Sequence, residues 1–201
     1  MGISDRKERE RSELKTKILV ATAKILVDEG YEKTTIRKVA EAIEYSPRTV
    51  YLYFKDKDSL LMEIIEEGFA STLEKRSRLK QSLDYSNPEQ IFGMQIMANI
   101  QTALSSPNLY KAVVYLLQYK AYPPGPRQIE VIQDVKYDIE ICYQHQGIKA
   151  VNSDQKAEII FAVLRGFNLM LINKIYDLTE QEIEAYKQSC VQLVMKGIVG
   201  L

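Results

Sequence analysis

Apolar residues recur along this chain at three- and four-residue intervals, and stretches that alternate apolar with polar are nearly absent. That periodicity predicts helices and almost no strand. Ile36, Val39, Ala40 and Ile43 form one buried stripe, opened by Thr34 or Thr35 as a cap. Ser46 followed by Pro47 marks a second helix start, a hydroxyl cap ahead of a proline whose missing N–H costs nothing at the first helical position. At about 100° per residue from Pro47, Val50 and Phe54 fall on one side and Arg48, Thr49 and Leu52 on the other, with Tyr51 and Tyr53 on the flanks. Asp56 can cap the next helix, which runs from Asp58 to about Lys80. Further helices are predicted over Glu89–Leu104, Pro107–Ala121, Gln128–Gln146, Asp154–Ile175 and Glu180–Ile198. They are separated by breaks at Asp84–Pro88, 105–107, Pro123-Pro-Gly-Pro126, Gly147 and Asp177–Thr179. The fold class is all-α, with about nine helices.

A helix, a sharp turn and a short helix with polar and aromatic residues facing out make the layout of a helix-turn-helix, whose second helix enters the major groove. Arg48 suits a bidentate contact to guanine and Leu52 an apolar contact to a thymine methyl. Tyr51, Tyr53 and Thr35 suit phosphate contacts, with Arg37 on the outer side of the preceding helix. Lys57, at a helix N-terminus with free N–H groups, is placed to hold a phosphate. Pro47 and Thr49 complete the candidate DNA-binding set.

These residues carry a resemblance. The stretch from Ile18 to Leu61 resembles the N-terminal domain of TetR-family transcriptional regulators in Gly30-Tyr31, Thr34-Thr35, Val39-Ala40, the run Thr49 to Phe54, and Lys57 to Leu61. It departs from the family in one place: Glu44 stands in the turn where glycine is usual, at a cost of roughly 1 kcal/mol if the backbone is left-handed. The resemblance implies a three-helix DNA-binding domain over 1–56 and a helical effector-binding and dimerisation domain over 57–201. It also implies a repressor released from a double-stranded DNA operator by a small molecule. The alternative reading is a helical effector- or partner-binding protein whose DNA head has lost specific function, and Glu44 is the feature that favours it.

Charge adds a restriction. Lysine plus arginine equals aspartate plus glutamate, 27 each, which argues against a nonspecific DNA coater that depends on bulk phosphate neutralisation. The first 17 residues are dense in both signs and read as a solvated arm or as an arm touching the DNA backbone. His145 is the only histidine, so no histidine triad or cage can form, and no phosphate loop or nucleophile elbow is present. Asp138, Cys142 and His145 share a helical face that reads as amphipathic surface. The expectation is therefore no enzyme, no metal and no cofactor. No apolar run is long enough to span a bilayer and no signal peptide opens the chain, so no membrane partner is expected and the location is cytoplasmic. Cys142 and Cys190 fit reduced thiols there.

The last two helices are the most apolar. Phe161, Leu164, Phe167, Tyr186, Cys190, Leu193 and Val194 read either as burial within one chain or as a homodimer interface. One short recognition helix reads too few base pairs alone, which tips the balance to a homodimer. The many phenols of the middle helices suggest polar atoms facing a cavity; Phe92, Tyr115, Tyr119 and Tyr137 are its candidate residues. Arg165 and Asn168 interrupt the apolar run of 159–172, and a buried guanidinium there must meet a protein carboxylate or a ligand. The effector pocket itself is implied by the resemblance.

Overall fold

A computed structural model describes residues 3–82, 87–120 and 122–200. Among these residues the chain is all-helical, with no strand. The helices are α1 (Ile3–Glu29), α2 (Ile36–Ala42), α3 (Pro47–Tyr51), α4 (Lys57–Ser82), α5 (Pro88–Ser105), α6 (Pro107–Val114), α7 (Pro126–His145), α8 (Ser153–Ile172) and α9 (Glu180–Gln192). A π-helical turn, Tyr115–Tyr119, continues α6, and another, Leu193–Val199, continues α9. Of the predicted Asp84–Pro88 break, residues 84–86 lie outside the described residues.

Local chemistry sets the helix starts. Thr35, not Thr34, caps α2 by accepting from the Lys38 N–H at 3.2 Å, while the Thr34 hydroxyl donates to the Gly30 carbonyl. Ser46 caps α3 through the Thr49 N–H, Asp56 caps α4 through the Ser59 N–H at 2.7 Å, and Asn87 caps α5 through the Gln90 N–H. Thr179 and Glu182 form a reciprocal capping box on α9. Pro126 opens α7, two residues ahead of the predicted start, because proline fits the first helical position. The charged N-terminal stretch is exposed over residues 5–13 but helical: α1 begins at Ile3, with Arg6–Glu10 and Arg9–Glu13 paired one turn apart along it.

The chain divides into two compact units: Met1–Gly68 with Pro107–Pro123, and Phe69–Ser106 with Pro124–Leu201. In the first, Ile18, Leu26, Val39, Val50, Leu60, Leu61 and Leu116 are fully covered. Each such side chain contributes roughly 1.5–3 kcal/mol through burial. α6 joins this unit through contacts far apart in sequence: Asn108 donates to the Val27 carbonyl at 2.8 Å, and the Tyr115 and Tyr31 rings lie 4.6 Å apart. In the second unit, α5, α7 and α8 meet around Phe92, Ile96, Ile100, Ile139 and Ile160, with Cys190 and Val194 closing the core.

Candidate functional site

In the first unit, α2 and α3 pack through Ile36, Val39, Ala40, Ile43, Val50 and Phe54, all buried. The turn between them keeps its tight form despite lacking glycine. Glu44 takes φ +63°, its N–H bonds the Glu41 carbonyl, and the Tyr45 N–H reaches back to the Ala40 carbonyl at 2.9 Å. These two bonds are the Schellman closure of a helix. Gly147 makes the same closure after α7.

With Val50 and Phe54 held inward, α3 turns its other face out. Leu52 is 71% exposed and Tyr51 55% exposed, and Pro47 and Arg48 are also exposed. Thr49 is half-buried, its hydroxyl 3.0 Å from that of Ser46. Thr35 stands exposed at the start of α2, as does Arg37, which pairs with Glu41 one turn on at 2.9 Å. Tyr53 is half-buried, with the Arg11 guanidinium 5.9 Å from its ring centre. A cleft beside the recognition helix is lined by Lys7, Arg11, Lys17, Tyr45, Leu52 and Tyr53, with Glu10 and Glu13 on the same helix. These α1 residues belong to the charged stretch that the sequence offered as an arm touching the DNA backbone, here carried on a helix.

Lys57 stands at the N-terminus of α4, as the sequence suggested, but its side chain is already engaged. Its ammonium lies 3.6 Å over the Tyr31 ring and donates to the Tyr31 carbonyl at 3.1 Å, with burial pulling its pKa below the usual lysine range. The Tyr31 phenol in turn donates to Asp58 at 2.6 Å; burial and that carboxylate raise the phenol's pKa. Lys57 therefore fastens the start of α4 to Tyr31. Its desolvated cation finds a carbonyl and a π face within its own unit, a stronger local competitor than the sequence revealed.

The second unit holds a cavity of about 120 Å³ whose lining includes Arg76 on α4, Phe92, Gln95 and Asn99 on α5, and Ile160 and Leu164 on α8. Phe92 is the predicted ligand residue that lines it. Asn168 is fully buried and donates to Asn99 at 3.0 Å, so it positions a lining residue. Tyr115, Tyr137 and Arg165 are not among the residues that line this cavity. Tyr115 belongs to the first unit, stacked on Tyr31. Tyr137 is exposed on α7, beneath the Lys80 ammonium. Arg165 is half-exposed and outside the cavity lining, so solvent relieves the charge that made it look functional. The Tyr119 side chain lies outside the described residues.

Sequence reasoning overlooked two features of this cavity. Gln95 is 3% exposed, and neither its amide nitrogen nor its oxygen has a hydrogen-bond partner among the described residues; such a group costs on the order of 1–3 kcal/mol. At the cavity's edge, Arg76 donates to Asp134 and Asp138, each at 2.5 Å, and Lys80 meets the same two carboxylates at 2.6 Å. Burial opposes ionisation of Asp134, but the hydrogen bonds from Lys80 and Arg76 prevail and hold its pKa below the usual carboxylate range. Asp138 thus serves this network. The face of α7 that it shares is therefore not the amphipathic surface expected: Asp138 and Cys142 are buried, the thiol pushed up to about 12 by desolvation, and only His145, 3.1 Å from Glu89, is exposed.

The predicted interface residues separate into two groups. Leu164, Cys190 and Val194 lie inside the chain's own core and are unavailable to a second subunit. A single apolar stripe cannot tell the two sides of a helix apart when both are apolar. Leu193 is 53% exposed and Tyr186 is also exposed, while Phe161 and Phe167 are partly buried against the core. Ile159 on α8 and Ile175 and Tyr176 beyond it add to the outward apolar surface.

A tightly packed three-helix head with an outward α3 defines a helix-turn-helix protein of the DNA-binding kind. Residues 18–64 match the family described as bacterial regulatory proteins, tetR family. That match spans the head and the start of α4, so it is the N-terminal part of the chain that is similar to TetR-family regulators. The chain is 21% identical over 182 residues to the HTH-type transcriptional regulator YerO of Bacillus subtilis, a match covering 87% of this chain and 62% of that one. Two solved structures share its fold. RolR in complex with resorcinol superposes with a TM-score of 0.68 at 14% identity, covering 92% of this chain and 89% of that one. FadR from Bacillus subtilis in complex with stearoyl-CoA superposes at 0.65 and 17%, covering 92% and 98%. Among the described residues no helix is long and apolar enough to cross a membrane.

Proposed function

We propose that this regulator is a homodimeric repressor that binds a pseudo-palindromic operator through α3 and is released by a small molecule held in the second unit. The observation that carries the reading is the outward face of α3: Arg48, Tyr51 and Leu52 exposed together over a fully buried Val50. Residues 1–56 supply the DNA-contacting helices and 57–201 the effector and dimer functions, with 57–68 and Pro107–Pro123 packed in the first unit. Arg48 and Leu52 read bases; Thr35, Arg37, Pro47, Thr49, Tyr51 and Tyr53 contact or border the phosphates, joined by Lys7, Arg11 and Lys17 of α1. The dimer forms through the outward apolar residues of α8 and α9, Leu193 and Tyr186 with Phe161 and Phe167, and Cys190, Val194 and Leu164 pack behind them.

Two heads then meet successive major grooves, about 34–36 Å apart or further on a long site. α4 is one of three places where the chain passes between the units: its residues up to Gly68 belong to the unit that contains the head, and those from Phe69 to the unit that holds the cavity. A ligand that prefers one conformer of the second unit changes the spacing of the heads through this helix, and a coupling of a few kcal/mol suffices. That RolR and FadR were solved with resorcinol and stearoyl-CoA supports a ligand site in this fold. The reading of a disabled head loses its support, because Glu44 adopts the left-handed turn and leaves both helices in place. The protein's role is regulatory, with no catalytic step assigned to it.

A gel shift with the promoter region of the protein's own gene tests this. A discrete retarded complex that survives competitor DNA is expected; retardation that competitor removes in proportion to its mass contradicts specific binding.

A further inference from the structure

The cavity of the second unit has a size, a lining and one misplaced group, and together they limit what it takes. Its volume, about 120 Å³, is on the scale of the roughly 150 Å³ engineered apolar cavity that accepts benzene. Phe92, Ile96, Ile160 and Leu164 give it an apolar wall. Polar groups line it too, among them Arg76 and Asn99, which are engaged with other protein groups; Gln95 differs from these, because its side chain is 97% buried with a donor and an acceptor left unused by the described residues. The charges at the edge do not select an anion. Arg76 and Lys80 are matched by Asp134 and Asp138 in a closed set of four bonds, each between 2.5 and 2.6 Å, and Lys75 is exposed to solvent. A carboxylate entering here would have to displace one already in place and shed its own water.

We infer that the effector is an uncharged, single-ring molecule carrying a neighbouring donor and acceptor, as in a carboxamide or lactam, and that Gln95 selects it by pairing both. The ring fills the apolar wall, the ligand's carbonyl accepts from the Gln95 Nε2, and the ligand's N–H donates to the Gln95 Oε1. Specificity follows from the cost of leaving that amide unpaired, which discriminates more sharply than the fit of a ring alone. This assignment rests on the second unit being an effector domain.

The test uses the full-length protein without DNA and three ring compounds of similar size, benzamide, toluene and benzoate, with dissociation constants measured by NMR titration. Benzamide is expected to bind at least tenfold more tightly than toluene or benzoate. Gln95→Leu is expected to weaken benzamide about tenfold and leave toluene within twofold. Benzoate binding more tightly than benzamide, an absence of saturable benzamide binding, or a benzamide affinity unchanged in Gln95→Leu each overturns the assignment. If Gln95→Leu fails to fold, the ranking of the three compounds on the unaltered protein decides. Operator release is measured separately. Benzamide that binds without releasing DNA refutes the repressor reading and leaves the ligand class standing, whereas release by an anionic compound that benzamide cannot imitate does the reverse.

Discussion

The two units place their misfit residues on opposite sides of the surface. In the head, a leucine and a tyrosine stand out in water on α3, while the polar groups around them are used in caps and pairs. In the second unit, a glutamine amide is shut into an apolar wall with its hydrogen-bonding capacity unused. The difference teaches how each unit recognises its partner. An exposed apolar face gains by being covered, so it suits a large surface such as a groove or a second subunit. A buried polar group gains by being hydrogen-bonded, so it suits a small molecule that can enter.

Neighbouring positions at the end of α9 offer the largest test of this contrast. Val194 is 0% exposed and Leu193 is 53% exposed. Val194→Glu buries an unpaired carboxylate and is expected to destabilise the fold by about 3–5 kcal/mol, visible as a collapse of the thermal melt. Leu193→Glu is expected to leave the melt of the chain nearly intact and to yield a monomer by sedimentation that no longer binds operator. A dimeric, DNA-binding Leu193→Glu protein moves the interface elsewhere.

Leu52 provides a similar test in the head. Leu52→Ala removes no internal packing, so stability stays within about 0.5 kcal/mol, while operator affinity falls by about 1 kcal/mol from the lost apolar contact. Paired denaturation and binding curves on the same preparation separate the two; equal losses in both would mean that Leu52 supports the head internally.

Gln95 reverses the sign. Replacing an unsatisfied buried amide by leucine is expected to raise stability by about 1 kcal/mol in the absence of ligand, measured as a shift in the urea midpoint. A drop of that size would show that the amide is already satisfied within the protein.

Much of the head was legible in the sequence because its determinants are short-range. Ser46-Pro47, Thr35 and Asp56 act within one turn, and the stripe of Val39, Ala40, Val50 and Phe54 follows from helical spacing alone. Lys57 escaped because its partner, Tyr31, lies 26 residues away and is reached only after the chain folds back. The second unit was legible as helices and not as a site. Its cavity draws on α4, α5, α7 and α8, and nothing in the spacing of tyrosines says which of them meet. Tyr115 and Tyr137 attracted attention by type, whereas Gln95 is one of several polar residues on α5 and its spacing alone did not mark it as buried. Periodicity also placed Leu193 and Val194 together, although one faces out and the other in.

The smallest effect concerns the turn. Glu44 has φ +63°, so Glu44→Gly relieves left-handed strain of roughly 1 kcal/mol and gives back part of it through the freer unfolded chain. A net gain of about 0.5 kcal/mol is expected in the melt, with operator affinity unchanged. A loss of stability would show that the Glu44 side chain holds the turn in a way its backbone does not reveal.

The central claim, that α3 reads sequence, is tested most directly by selection from a randomised DNA pool with the unaltered protein and with Arg48→Ala. The account predicts a two-fold symmetric motif for the first. For the second it predicts the same motif with one position per half-site relaxed and the cognate site weakened by about 1–3 kcal/mol. A motif identical at every position for both proteins, or no enrichment with either, contradicts it.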